Sequence, residues 1–165
     1  MTPRKPARIA WNPSKTVAEN AREKLPELAH QFFTAGRAAA SQDTTMEALH
    51  RFRLLTKRFR YTLELFRDYY GEGLDRRLHA LQTVQQLLGA ISDCAATQDL
   101  LLARDDLAAS ERAAVLRKLK RTAALRIAAF RNHWLSNFSD PARERFWTNY
   151  LRRFARQKRA SSTGC

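Results

Sequence analysis

His50, Arg53, Lys57 and Arg60 recur at three- and four-residue spacing in the segment running from His50 to Tyr61. On a helix turning about 100° per residue they fall within one arc of roughly 80°. Phe52, Leu55, Phe59, Leu63 and Phe66 fall on the opposite side. Such a segment buries one face and presents a file of cationic hydrogen-bond donors on the other. Its chemistry is recognition of successive phosphate oxygens, for which the planar arginine fork is the best-suited donor. Like charges at this spacing cost a few tenths of a kcal/mol per pair, so a helix selected only for stability would intersperse acids. Only Glu64 enters the file, one turn past Arg60, where it can pair with that side chain. His50 reads as a hydrogen-bond donor at the end of a phosphate track rather than as a metal ligand. A solvated charged face is the plain alternative for such a run.

A second helical segment carries the complement. Gln82, Gln86, Gly89 and Asp93 share one face, while Leu81, Val84, Leu88, Ile91 and Ala95 share the opposite one. Glycine inside a helix costs about 1 kcal/mol relative to alanine, and so marks close approach of another backbone or a ligand. Tight helix–helix packing is the expected reason for Gly89, with ligand contact as the alternative. Asp93 is expected to orient an Arg or Lys of the basic file. His30, His79 and His133 share no metal-ligand spacing with one another and read as structural.

The elements that position these residues are all helical. An extended basic arm is expected over 1–13, with Ile9 and Trp11 pinning part of it to the body. Ser14 is the expected N-cap of a first helix reaching about Ala40, interrupted or kinked at Pro26. After a loop at 41–45, a second helix runs to about Tyr70 and stops at Gly71-Glu72-Gly73. A third spans about Leu74 to Arg104. A fourth opens at Ser110-Glu111 and reaches about Phe138. Ser139-Asp140-Pro141 reads as an N-cap followed by proline at the first helical position, opening a last helix to about Arg159. That helix carries Phe146, Trp147, Tyr150, Leu151 and Phe154 at core spacing. No segment alternates as a strand. Short connections imply antiparallel neighbours, hence an all-α up-down bundle of four to five helices over 14–159, with a flexible tail at 160–165.

Composition narrows the function classes. The 165 residues hold 30 Lys+Arg against 16 Asp+Glu, a formal net charge of +14, while 44% hydrophobic residues mark a chain that folds. Two cysteines, Cys94 and Cys165, make neither a disulfide framework nor a metal site, and Cys94 reads as a small buried residue. No window approaches the roughly 18 apolar residues of a membrane span, and no leader segment is seen, so a cytoplasmic protein without metal or cofactor is expected.

The run His50-x-x-Arg53-x3-Lys57-Arg58-x-Arg60-Tyr61, followed by Glu64-Leu65-Phe66, resembles the signature of the CHAD domain, the conserved histidine α-helical domain. Leu87-Leu88-Gly89-Ala90-Ile91-Ser92-Asp93 resembles that family's second signature, in the expected order and at the expected separation. The resemblance covers about Glu19 to Phe138. It implies one CHAD-like helical unit, binding of inorganic polyphosphate, and association with polyphosphate granules. The implied phosphate contacts are His50, Arg53, Lys57, Arg58 and Arg60. Arg117, Lys118 and Arg121 on the fourth helix join them from helical bookkeeping alone. Family members commonly carry two such units facing each other. This chain has one and resembles the second, so a homodimer is the expected way to restore the pair.

Four functions follow for comparison. The first is non-catalytic polyphosphate binding. The second is nucleic-acid binding, which charge alone allows but which lacks aromatics on the basic file apart from Tyr61; Tyr69 and Tyr70 are expected to be available. The third is a phosphate-processing enzyme, since CHAD domains are often fused to triphosphate tunnel hydrolases. The chain has no strands, no Glu-x-Glu-x-Lys pattern and no nucleophile–base set, and Asp105-Asp106 reads as a turn, so no catalysis is expected. The fourth is membrane-surface attachment by the Arg-rich last helix, which the bundle opposes by taking its aromatics as core.

Overall fold

The structure, a computed structural model, describes residues 10–104 and 108–153. Six helices account for nearly all of them: α1 (Val17–Ala39), α2 (Met46–Leu65), α3 (Arg67–Tyr70), α4 (Glu72–Leu102), α5 (Ala109–Asn137) and α6 (Pro141–Arg153). The fold is all-α, and no strand occurs among the described residues. The arm up to residue 9, Asp105-Asp106, Phe154 and the tail lie outside the described residues.

Local chemistry sets most of the boundaries. α1 opens not at Ser14 but at Thr16, whose hydroxyl accepts from Glu19 N at 3.2 Å while Glu19 Oε2 accepts from Thr16 N at 2.7 Å. This reciprocal capping box satisfies two otherwise orphaned donors. Pro26 does not interrupt α1; it is buried inside a continuous helix. Thr45 caps α2 by accepting from Ala48 N at 3.1 Å. Asp140 caps α6 by accepting from Ala142 N at 2.8 Å, with Pro141 at the first helical position as expected.

Three boundaries depart from expectation. The second helix breaks at Phe66 instead of continuing to Tyr70; Phe66 turns into the core and stacks on Trp11 with ring centroids 5.4 Å apart. Only Gly71, at φ +66°, makes the stop, because glycine alone adopts that backbone conformation at little cost. Glu72 and Gly73 belong to α4, where a Cβ on Gly73 would meet the Tyr150 ring at 2.8–3.1 Å. α5 begins at Ala109 without a side-chain cap.

The bundle is closed by an aromatic cluster. Phe32 of α1 lies within 5.4–6.2 Å, ring to ring, of Phe52, Phe59, Trp134, Phe138 and Trp147. These rings come from α1, α2, α5, α6 and the α5–α6 turn, so one site ties the elements together. Gly36 admits Trp134: a Cβ there would fall 1.9 Å from the indole ring. α6 lies along α1, where Glu144 accepts from Arg37 at 2.7 Å and pairs with His30 Nδ1 at 2.6 Å. Its far end docks on α3 and α4: Tyr70 Oη donates to Leu151 O at 2.6 Å and Tyr150 Oη to Tyr70 O at 3.0 Å. Tyr70 is therefore buried and Tyr69 half-buried, neither a free stacking surface. Phe146 departs the other way and is 59% exposed instead of serving as core.

Candidate functional site

α2 divides into two faces as its spacing requires. Leu49, Phe52, Thr56, Phe59 and Leu63 are buried, and Thr56 settles its hydroxyl by donating to Phe52 O at 2.9 Å. His50 and Lys57 are exposed on the other face, with Arg53 and Arg60 half-buried between them and α4. Arg58, about 100° further round than Lys57, turns away from this file and is half-buried.

α2 and α4 run antiparallel, and two contacts fix their register. Arg60 Nε donates to Gln85 Oε1 at 2.9 Å at one end. At the other, His50 shares a cleft with Ser92, Ala95, Ala96 and Asp99. Between these points α4 offers Gln85, Gly89, Ser92, Ala96 and Asp99 at steps of three and four, so one edge of mostly small residues runs beside the basic file. A Cβ on Gly89 would meet nothing within 4 Å. Tight helix packing, the expected reason for this glycine, is thus overturned: Gly89 faces open space along the groove.

The file is unevenly neutralised. Glu64 pairs with Arg60, as its spacing implies, and Arg51, off the file, pairs with Glu47 at 3.5 Å. Among the described residues Arg53 and Lys57 form no ion pair, and Arg53 Nε is buried without a hydrogen-bond partner. Asp93 does not orient the file; it is exposed and pairs with none of its members. That role falls to Gln85, which sequence reasoning missed. The legible signal was its place in the Gln85-Gly89-Ser92 series, one step round α4 from the polar face of Gln82, Gln86 and Asp93. Tyr61 is exposed at the edge, but Arg60 lies 4.4 Å and Lys57 Nζ 5.7 Å from its ring centroid.

Arg117, Lys118 and Arg121 are exposed on the N-terminal half of α5, which packs on α4 rather than on the basic face of α2. Further along α5, Arg126 donates to Cys94 Sγ at 3.1 Å; Cys94 is buried, as its place among apolar positions implies. Burial lowers the pKa of His133 and favours its neutral form. Among the described residues no group of three or more His, Cys, Asp or Glu side chains is placed to hold a metal ion. No described helix is long and apolar enough to cross a membrane.

The model of the CHAD domain matches residues 3–102, more than half of the chain, and the chain belongs to the CHAD family. The match ends with α4, well before Phe138, so α5 and α6 lie outside it. No characterised protein and no solved structure matches the chain.

Proposed function

We propose that this chain binds inorganic polyphosphate, without catalysis, along the groove between α2 and α4. One observation carries the reading: among the described residues Arg53 and Lys57 have no ion-pair partner, and they stand beside an edge of α4 left open at Gly89. A chain of phosphates laid along the file meets Arg60, Lys57, Arg53 and His50 in turn. Each contact exchanges a counterion for a charge-assisted hydrogen bond, so affinity rises with polymer length and falls with salt. Membership of the CHAD family supports the ligand class. The reading assigns His50, Arg53, Lys57 and Arg60 as direct contacts. Arg58, Arg117, Lys118 and Arg121 serve as outlying cations for a polymer that extends beyond the groove.

Titration against long-chain polyphosphate, with excess DNA as competitor, tests this directly. Binding that lengthens with the polymer and resists DNA is expected. Arg53→Glu with Lys57→Glu should weaken it by at least about tenfold, the scale of one lost charge-assisted hydrogen bond, with helicity unchanged. Full affinity in that variant would overturn the site. Nucleic acid on this same face is disfavoured because Tyr61 is the one exposed ring that the described part of α2 offers beside four cationic side chains, too few rings to stack successive bases.

The reading also places the protein in the cytoplasm at polyphosphate granules, and pairs two copies about a twofold axis to face two grooves. Light scattering with and without polyphosphate tests the pairing, and a fluorescent fusion tests the location.

A further inference from the structure

α6 carries a feature that the groove does not use. Its inner face buries Trp147 and Leu151, and Glu144 turns toward α1. Its outer face exposes Arg145, Phe146, Asn149, Arg152 and Arg153; Arg145 and Arg152 lie at its edge toward α1, in a pocket shared with Glu23, Glu27 and Glu144, and Phe146 lies at its edge toward α4. Phe146 is 59% exposed: one side of its ring covers Arg77 and the rest is open to solvent.

What lies beneath Phe146 gives the ring its character. Arg77 is 6% exposed, and its guanidinium carbon sits 4.7 Å from the Phe146 centroid and 3.5 Å from that of Tyr150. Nη1 donates to Gly73 O at 2.9 Å, while Nε and Nη2 are buried without a partner. Burial lowers the group to about 10, which still leaves it a cation at neutral pH. Asp75, the acid felt by Tyr150, is paired with Arg67 at 2.7 Å. The cation draws ring density inward, so the outer face of Phe146 is poorer in electrons than that of an isolated ring. Such a face rejects a second cation and accepts an electron-rich ring.

We propose that the outer face of α6 is a second ligand surface, which takes single-stranded nucleic acid by stacking a base on Phe146 while Arg145, Arg152 and Arg153 hold the flanking phosphates. The ligand must bring planar rings and negative charge together, with the rings unpaired, and single strands meet both conditions. A duplex hides its rings. A membrane is disfavoured because interfacial binding scales with buried apolar area, and here one ring supplies it. The surface lies beyond the CHAD match and does not rest on the groove reading.

The test uses the full chain and a labelled deoxyadenosine oligonucleotide against an abasic oligonucleotide of equal length, read by anisotropy. Preference for the base-bearing strand of about tenfold is expected, the scale of one stacked base. Phe146→Leu, which keeps an apolar side chain but no ring, should abolish the preference, whereas Phe146→Trp should keep it. Arg53→Glu with Lys57→Glu should lose polyphosphate yet retain the preference, which separates this surface from the groove. Equal binding of both strands by the unmodified chain would overturn the proposal, as would an undiminished preference in Phe146→Leu. Binding to phosphatidylglycerol vesicles through α6, with no preference between the strands, would assign the face to membranes instead.

Discussion

Two positions in the groove separate charge from space. Glu64 neutralises Arg60, the one member of the file also held by Gln85. Glu64→Gln removes that carboxylate without changing shape, so polyphosphate affinity should rise by about two- to fivefold, the worth of one exposed ion pair. The gain should fade in high salt, and a titration at two ionic strengths checks both points. Gly89 tests space. A Cβ there meets nothing, so Gly89→Ala should stabilise the chain by about 0.5–1 kcal/mol through reduced chain entropy, with affinity retained. Gly89→Leu should keep the fold but obstruct the groove, weakening polyphosphate binding. If both variants bind alike, the polymer does not pass over α4 at this point.

Between elements, the same residue type does the opposite work. Gly36 lets α5 approach α1, and Trp134 fills the space it leaves among the rings of Phe32, Phe33, Phe52 and Phe138. Trp134 is 1% exposed and has nowhere to move, so Gly36→Ala should cost about 1–3 kcal/mol by overpacking. Trp134→Phe in the same chain should recover part of that loss, a coupling that denaturant melts of the four species would measure. This contrast also marks what the sequence could reveal. The faces of α2 and α4 were legible because burial repeats every three to four residues within one segment; Phe52, Phe59, Leu63, Leu81, Val84, Leu88 and Ile91 all lie inside as their spacing implies. Gly36 and Gly89 are indistinguishable locally, since what each one faces is set by a partner far along the chain. The break at Phe66 was hidden for the same reason: its cause is a stacking contact with Trp11, not a breaker in the segment. Gln85 was hidden because its acceptor role exists only once Arg60 is laid beside it.

At the scale of the molecule, a formal charge of +14 makes acidification costly, and His133, Glu144 and the capping-box carboxylate Glu19 are groups at which the cost enters. Burial lowers His133 below its ordinary value of 6.5, so the unfolded chain takes up this proton more readily than the folded one. Stability from His133 is therefore present above pH 6.5 and lost as pH falls below it. Burial alone would raise the Glu144 carboxyl, but hydrogen bonds and charge from Arg37 and His30 outweigh it and hold it below its ordinary 4.5. Its contribution is present above pH 4.5 and lost as pH falls through the lowered value. Thermal melts at pH 7.5, 5.5 and 3.5 should thus show two successive losses on the acid side. His133→Gln should remove the first, and Glu144→Gln should reduce the second, to which Glu19 also contributes, while lowering the melting temperature at pH 7.5. Because Glu144 fastens the first turn of α6 to α1, its loss should loosen that turn first, and hydrogen exchange at pH 3.5 should open α6 ahead of α2. Simultaneous exchange of both helices would mean that the carboxylate tie is not what holds α6 in place.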